Sequence, residues 1–322
     1  PARDEAAILA RTLPSLLAQR YPATFRVIVV DDDSTDATGQ VAADAGAHVV
    51  RVAGPPPGWT GKVAALAAGV NAAGTPDYLL FTDADIEYPP DAMAGLVGAA
   101  GPRVLTSQMV RLRAQTRWER LIVPAFVYFF AQLYPFAWVN RPGRTAAAAG
   151  GCMLVDRAAL ERAGGLSAIR DAVIDDVALA RLLKPHGPIW LGLAPDIRSV
   201  RPYPQLADLW RMVARSAYTQ LRYSPALLAG TIVGLALVYV LPPALAIGGA
   251  AAGAGGVALL GLAAWAIMAA TYLPMLRFYR IAWPSALLLP AVAALYAAMT
   301  LDSARRHHRG RGAQWKGRTV VR

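Results

Sequence analysis

Cysteine and charge are both scarce in this sequence. Its 322 residues include one cysteine, so no disulfide can form within the chain. The four histidines show no zinc-site spacing. Charged residues make up only 16% of the chain, less than in an average soluble domain. These absences exclude a disulfide-stabilised scaffold and a zinc-binding module, and we interpret Cys152 as a small buried residue.

The lack of charge is concentrated in the second half of the chain. Between Ala226 and Leu301 the only charged residues are Arg277 and Arg280. This region holds three apolar stretches of roughly the twenty residues that a bilayer span needs, about 226–247, 257–276 and 281–301. We therefore expect a soluble domain over residues 1–222, followed by a transmembrane helical region over 223–302 with two or three spans.

Positive charge dominates the end of the chain. Basic residues exceed acidic residues by 11, and seven basic residues follow Asp302. A basic segment next to apolar spans favours anionic lipid headgroups as its partner. No nucleic-acid-binding signature accompanies the charge, so we expect no nucleic-acid partner. Residues 303–322 are predicted to form a basic cytoplasmic tail.

The charge of the loops predicts an orientation in the membrane. The loop Arg277–Arg280 is basic and the loop 248–256 is uncharged. The positive-inside rule therefore places the soluble domain in the cytoplasm, as in a protein of a bacterial-type inner membrane. A third full crossing would carry the basic tail to the opposite side. We expect 281–301, which contains Pro284 and Pro290, to bend or re-enter.

Strands and helices alternate in the first half of the chain. The sequence predicts strands at 25–30, 48–52 and 78–82, separated by helices at 36–44 and 62–73. This alternation predicts an α/β fold with a Rossmann-like, mostly parallel sheet. In such a fold, ligands bind at the carboxyl ends of the strands.

Acidic side chains follow two of these strands. Asp83 and Asp85 come directly after the strand 78–82, and two carboxylates spaced in this way can face one divalent cation. Such a cation can neutralise the diphosphate of a nucleotide. The alternative is a solvated turn. The run Asp31–Asp36 follows the first strand, where it can accept hydrogen bonds from uracil or ribose or cap the next helix.

A third acidic pair, Asp175 and Asp176, precedes a predicted helix. A carboxylate in this position can take the proton of an acceptor hydroxyl, and helix capping is the alternative. The aromatic, apolar segment 121–139 lies between Asp85 and Asp176 in the chain. A membrane crossing there would separate the two carboxylates, so we interpret the segment as interfacial, with a re-entrant segment as the alternative.

These motifs form an ordered series that resembles a known family. The series comprises PARDE (1–5), VDDDSTDAT (30–38), Gly61-Lys62, FTDAD (81–85) and Asp175-Asp176. Over about residues 1–222 it resembles the family-2 glycosyltransferases of GT-A fold. The stretches PPGWTGK (56–62), AAAAGGCMLV (146–155) and MVARSAYTQLRYSP (212–225) resemble, more narrowly, the hopanoid-biosynthesis-associated glycosyltransferases.

The resemblance implies a donor site and a role for each of its residues. The residues that it places around the donor are Pro1, Arg3, Glu5, Asp32, Lys62, Asp83, Asp85, Gly150, Gly151 and Arg222. The first three would lie under the nucleoside and Asp32 would contact the uracil. Asp83 and Asp85 would hold the diphosphate through Mg²⁺ or Mn²⁺, with Lys62 nearby.

On the acceptor side, the resemblance implies that Gly150-Gly151 borders the acceptor pocket. Asp176 would be the general base of an inverting, single-displacement transfer. The family usually has Glu-Asp where this chain has Asp175-Asp176. It also has a strand before the PARDE segment, and we expect the present sequence to lack that front end.

The motif Gln-x-x-Arg-Trp of processive synthases is poorly matched by Gln220–Tyr223, so polymer synthesis is not expected. Arg222 would meet the leaving diphosphate or belong to a basic cluster at the membrane edge.

Taken together, these features predict a membrane-bound enzyme that transfers a sugar from a nucleotide sugar, such as a UDP-sugar, to a membrane lipid, such as a hopanoid. A polyprenyl-phosphate or ceramide-like acceptor is one alternative. A catalytically silent membrane protein that only binds nucleotide sugar is another, although intact Asp83, Asp85 and Asp176 argue against it.

Overall fold

A computed structural model describes residues 1–310 and the backbone of the short strands β8 (Gln314–Trp315) and β9 (Arg318–Thr319). Eight of the twenty residues of the predicted basic tail, 311–313, 316–317 and 320–322, therefore lie outside the described residues. Among the described residues, the chain divides into two compact units. An α/β unit comprises 1–113 and 133–202, and a helical unit comprises 114–132 and 203–310.

The α/β unit is built from short strands and helices. They are α1 (Ala6–Leu17), β1 (Ile28–Asp32), α2 (Thr38–Asp44), β2 (His48–Val52), α3 (Gly61–Ala72), β3 (Tyr78–Thr82), β4 (Ile86–Glu87), α4 (Ala92–Ala100), β5 (Leu105–Arg111), α6 (Phe136–Val139), β6 (Cys152–Asp156), α7 (Arg157–Arg162), α8 (Asp175–Leu183) and β7 (Ile189–Ser199). The predicted alternation of strands and helices is confirmed up to β3. Asp156 caps α7, because its carboxylate accepts a hydrogen bond from the Ala159 amide at 2.6 Å.

The sheet is mixed, and this corrects the expectation of mostly parallel strands. β1 pairs with β2 in parallel, and a five-stranded sheet has the order β3-β6-β5-β7-β4. Within that sheet β5 and β7 are parallel, whereas β6 and β4 run antiparallel to their neighbours. An antiparallel strand begins at the edge where its neighbour ends. In this way β6 places Cys152 opposite Thr82, and β4 places Ile86 opposite Ser199.

The helical unit contains α5 (Arg117–Leu133) up to Gln132, followed by helices from the second half of the chain. These are α9 (Leu206–Ala214), α10 (Ala217–Gln220), α11 (Pro225–Leu235), α12 (Leu241–Ala251), α13 (Gly255–Phe278) and α14 (Leu289–His308). Within the described residues, three helical segments are long and apolar enough to cross a membrane: Pro225–Ala251, Gly255–Phe278 and Trp283–His308. The last begins as a 3₁₀ turn at Trp283–Leu288 before α14.

The segment that was predicted to lie in the membrane interface forms α5 and α6, and most of it packs inside the helical unit. The Tyr128 hydroxyl hydrogen-bonds to Thr271 Oγ1 at 2.8 Å, and its ring contacts Tyr272. The Tyr296 hydroxyl donates to the Ile122 carbonyl at 3.2 Å. The unit boundaries therefore differ from the predicted division at residue 222, since 114–132 and 203–222 group with the apolar helices.

A fully buried carboxylate joins the two segments at which the chain enters the helical unit. Glu119 accepts hydrogen bonds from the amides of Gln115 and Thr116, at 2.8 and 2.9 Å, and from the Tyr203 amide at 2.7 Å. Three charge-assisted bonds satisfy a charge that would otherwise be costly to bury. Residues 115–119 and 203 are thereby held together although they are far apart in the chain.

Glycines allow α12 and α13 to approach each other closely. A Cβ atom on Gly261 would lie 2.4 Å from the Ala246 amide nitrogen, and one on Gly249 would lie 2.7 Å from that of Ala258. Backbone atoms cannot move aside as a side chain can. The close packing of α12 and α13 therefore requires residues without a side chain at positions 249 and 261.

We expect Gly261→Ala to destabilise the protein in detergent by about 1–3 kcal/mol, because the added methyl group meets backbone rather than a side chain. Thermal unfolding of the purified chain measures this. Gly230→Ala on α11 is the matched control, since no atom lies within 4 Å of its built Cβ. Equal melting temperatures for the two variants would contradict the packing argument.

Candidate active site

A lysine lies between carboxylates that come from separate elements of the α/β unit. Lys62, in the first turn of α3, places its Nζ 2.9 Å from Asp83 Oδ1 and 3.1 Å from Asp175 Oδ2. Asp83 follows β3, and Asp175 begins α8. The structure thus brings together three of the motifs that the sequence singles out.

Asp176 is held by two backbone amides. Its Oδ2 accepts from Gly150 at 3.0 Å, and its Oδ1 accepts from Val177 at 2.7 Å. Gly150 precedes β6, so the antiparallel direction of that strand brings the glycine to the edge where β3 ends. A Cβ on Gly150 would lie 3.1 Å from Lys62 Nζ and 3.5 Å from Asp176 Oδ2, which leaves little room for a side chain there.

The electrostatics of this cluster set Asp176 apart. Burial raises the pKa of Asp176 to about 6, with a further increase from Asp175 and an opposing effect of Lys62. Burial alone would lower the pKa of the Lys62 ammonium, but the carboxylates, first Asp175 and then Asp83, raise it well above its ordinary value. The cluster therefore combines a permanently charged lysine with a carboxylate that can gain and lose a proton near neutral pH.

Asp85 belongs to a second cluster, which includes two residues that the sequence analysis missed. Ser199 donates a hydrogen bond to Asp85 Oδ2, and Arg201 Nη2 lies 3.4 Å from Asp85 Oδ1. The same guanidinium nitrogen lies 2.6 Å from Glu5 Oε1. β4 pairs with the end of β7 and so places Asp85 beside Ser199. Their position at and just after the end of a strand is the sequence feature that could have identified Ser199 and Arg201 as site residues.

The first residues of the chain lie along β1. Ala2 pairs with Asp31, donating to the Val30 carbonyl at 2.8 Å and accepting from the Asp32 amide at 2.9 Å. Pro1, Arg3 and Glu5 are thereby placed next to the end of this strand. Arg3 Nη1 donates to the carbonyls of Asp32 and Asp33, at 2.6 and 2.7 Å. The Asp32 residue is fully buried in this structure.

Much of the acidic run after β1 has a structural role. Asp36 accepts from the amides of Ala6 and Thr38, at 3.1 and 2.9 Å, and Asp31 accepts from the Ser34 amide at 3.1 Å. Asp4, which has a φ of 51°, accepts from the Thr35 amide at 2.7 Å. These bonds join residues 4–6 to the loop after β1 and fix the position of Glu5.

Gly151 closes the site on the side of the five-stranded sheet. Its carbonyl accepts from Thr82 Oγ1 at 3.0 Å and from the Tyr88 hydroxyl at 3.1 Å. A Cβ on Gly151 would lie 3.0 Å from Val110. Cys152, the next residue, is fully buried, as expected.

Arg222 lies in the helical unit and is exposed. It has a left-handed backbone, with φ at 52°, and so does Tyr223, with φ at 56°. Two consecutive non-glycine residues in this region of backbone space are uncommon.

The carboxylates of Asp83 and Asp85 provide the oxygen ligands that Mg²⁺ and Mn²⁺ prefer. Within residues 1–310 no group of three or more His, Cys, Asp or Glu side chains is arranged to hold a metal ion. A divalent cation held by these two carboxylates would therefore need further oxygen ligands from a bound substrate. The phosphates of a nucleotide would supply them. The residues present fit such a shared site.

Comparison with known proteins identifies the family. Residues 1–164, half of the chain, match the model of glycosyl transferase family 2. The chain belongs to this family.

A relative from Staphylococcus aureus, 4,4'-diaponeurosporenoate glycosyltransferase, is 40% identical over 89 residues. The match covers 27% of this chain and 23% of that protein, so the chain spans about a quarter of the relative's length.

Two solved structures are also similar. Glucosyl-3-phosphoglycerate synthase from Mycobacterium tuberculosis, in complex with UDP, has a TM-score of 0.43 and 23% identity over 69% of this chain and 77% of that chain. Mannosyl-3-phosphoglycerate synthase from Rubrobacter xylanophilus has a TM-score of 0.43 and 21% identity over 69% and 71%.

We expect Gly150→Ala to reduce activity by about tenfold, because the methyl group would lie 3.1 Å from Lys62 Nζ and displace the ammonium by a few tenths of an ångström. Turnover and melting temperature are measured together. Gly98→Ala in α4 is the control, since its built Cβ meets no atom within 4 Å. Full activity of Gly150→Ala would show that the close approach of residue 150 to Lys62 is not needed for the reaction.

Proposed function

We propose that this glycosyltransferase moves a sugar from a nucleotide sugar, such as a UDP-sugar, to a membrane lipid with inversion at the anomeric carbon. The observation that supports it most directly is the position of Lys62 between Asp83 and Asp175, with Asp176 held beside them by Gly150. This arrangement joins a candidate diphosphate site to a candidate base.

On this proposal Asp176 accepts the proton of the acceptor hydroxyl while the hydroxyl oxygen attacks the anomeric carbon. The bond from that carbon to the diphosphate oxygen breaks in the same step, and the nucleoside diphosphate leaves. Asp83 and Asp85 would hold Mg²⁺ or Mn²⁺, which supplies neutralising charge to the leaving diphosphate. Pro1, Arg3, Glu5 and Asp32 would bind the nucleoside, and Gly150-Gly151 would border the acceptor.

Asp32 and Arg222 are assigned to this donor site by the motif series. Because Asp32 is fully buried, contact with a nucleobase requires its neighbours to move. Arg222 is assigned to the diphosphate only by its place in the motif series.

A lipid acceptor is supported by the three apolar helices and by the name of the relative. That name describes glycosyl transfer to 4,4'-diaponeurosporenoate, a lipid-like carotenoid acid. The motif resemblance favours a hopanoid, and polyprenyl-phosphate or ceramide-like lipids are the alternatives. We further propose an integral protein of a bacterial-type inner membrane with a cytoplasmic catalytic domain.

The test is to incubate membranes that contain the full chain with a panel of radiolabelled nucleotide sugars and to identify the labelled lipid by mass spectrometry. We expect one donor to label a lipid, with the label lost in excess chelator and restored by Mg²⁺ or Mn²⁺. Membranes containing Asp83→Asn are the control for background enzymes. Label only in water-soluble products would exclude the lipid acceptor, and full activity in chelator would exclude the metal.

We expect Asp176→Asn to lower kcat by about 10² or more, because asparagine keeps the shape and removes the basicity. Donor affinity should stay close to that of wild type, and Asp175→Asn should have a milder effect. Turnover and donor binding of both variants are measured in one detergent preparation. If only Asp175→Asn is inactive, the base is Asp175. If both remain active, neither is the base.

The pKa of about 6 for Asp176 predicts the pH dependence of kcat. A general base works when ionised, so activity should be constant above this pKa and fall tenfold per pH unit below it. Lys62 holds the pKa down and Asp175 raises it. Lys62→Met should therefore move the midpoint of the profile to higher pH. A wild-type profile that stays flat well below pH 6, or an unchanged midpoint in Lys62→Met, would contradict this.

A further inference from the structure

Both candidate metal ligands already have a positively charged partner. Lys62 Nζ lies 2.9 Å from Asp83 Oδ1, and Arg201 Nη2 lies 3.4 Å from Asp85 Oδ1. The two pairs come from different parts of the chain, since Lys62 begins α3 and Arg201 follows β7. A cation that binds to these carboxylates therefore competes with an ammonium and a guanidinium.

The pairing of Arg201 with Asp85 is a built contact. Ser199 donates to the second carboxylate oxygen of Asp85, which directs Oδ1 towards the arginine. Glu5, whose side chain is 6% exposed, holds the same guanidinium nitrogen at 2.6 Å. The Glu5 amide in turn donates to Thr38 Oγ1 at 2.8 Å. The Arg201 guanidinium is thus held between the carboxylates of Glu5 and Asp85.

The charges around the Lys62–Asp83 and Arg201–Asp85 pairs oppose the binding of a divalent cation alone and of a diphosphate alone. A divalent cation must displace two positive groups from the carboxylates. A diphosphate must approach a site with the five carboxylates of Glu5, Asp83, Asp85, Asp175 and Asp176 and the two cations Lys62 and Arg201. When both ligands arrive, the metal can take the carboxylates while the guanidinium and ammonium bind phosphate oxygens, which are strong acceptors for both groups.

We propose that Lys62 and Arg201 are exchangeable counter-ions of Asp83 and Asp85. They neutralise the carboxylates in the unliganded protein and transfer to diphosphate oxygens when nucleotide and metal bind together. The inference rests on the proposed nucleotide-sugar site and adds Arg201 as a diphosphate-binding residue. It implies that Mn²⁺ and UDP each bind weakly alone and strengthen each other reciprocally.

The full chain in detergent is titrated with Mn²⁺, with free Mn²⁺ followed by electron paramagnetic resonance, in the absence and presence of UDP. In wild type we expect UDP to tighten Mn²⁺ binding. In Arg201→Gln, Mn²⁺ alone should bind roughly tenfold more tightly, because Asp85 loses its competing cation, and UDP should add less. No turnover is needed for this measurement.

The direction in which Arg201→Gln changes the affinity for Mn²⁺ alone shows whether Arg201 is an exchangeable counter-ion of Asp85 or only orients it. If Arg201 only orients Asp85, Arg201→Gln will bind Mn²⁺ alone more weakly, and that result, or no change, overturns the proposal. Arg20→Gln is the matched control, because it removes an exposed ion pair with Asp91 in the same unit. It should bind Mn²⁺ as wild type does.

A second variant covers the case in which Arg201→Gln does not fold. Arg201→Lys keeps the charge, so Mn²⁺ alone should bind as in wild type, while UDP with Mn²⁺ should bind roughly tenfold more weakly because the planar fork is lost. Unchanged UDP affinity would overturn the proposal. Failure of wild type to bind UDP in the presence of Mn²⁺ would instead overturn the UDP-sugar donor of the proposed function, which separates the two outcomes.

Discussion

The Lys62 ammonium is the charge on which the arrangement of the candidate site depends. Carboxylates from β3 and α8 approach one another at a sheet edge, and like charges at that spacing repel. Lys62 lies between them and offsets the repulsion within a partly desolvated site. Gly150 is part of the same arrangement, because a side chain there would press on the lysine.

Two antiparallel strands explain how distant residues meet at this edge. β6 begins where β3 ends and so brings Gly150 and Gly151 to Thr82 and the residues after it. β4 begins where β7 ends and so brings Asp85 to Ser199 and Arg201. In a purely parallel sheet the starts of these strands would lie at the opposite edge, and neither contact would form.

The sequence predicted features that local patterns encode. Buried strands with acidic ends, the helix starts at Gly61 and Asp175, and the three apolar helices all carry their signal within about twenty residues. The directions of β4 and β6 do not, because they are set by pairing across the chain. Arg201 was missed for that reason, since its contact with Asp85 spans 116 residues of sequence. The contacts of α5 with α13 and α14 were likewise not predicted, because an apolar aromatic stretch has the same pattern whether it faces lipid or protein.

The discontinuity of the helical unit has a consequence for synthesis. α5 leaves the ribosome before β6, α8 and β7, and its partners in α13 and α14 are made only after those elements. At translation rates of about 5–20 residues per second, its apolar face waits on the order of ten seconds for them. During that interval the nascent chain carries an unpaired aromatic helix. Glu119 likewise keeps a carboxylate without the Tyr203 amide until the α/β unit between them has been translated. Chaperone or early membrane engagement at α5 would shield this stage of biogenesis.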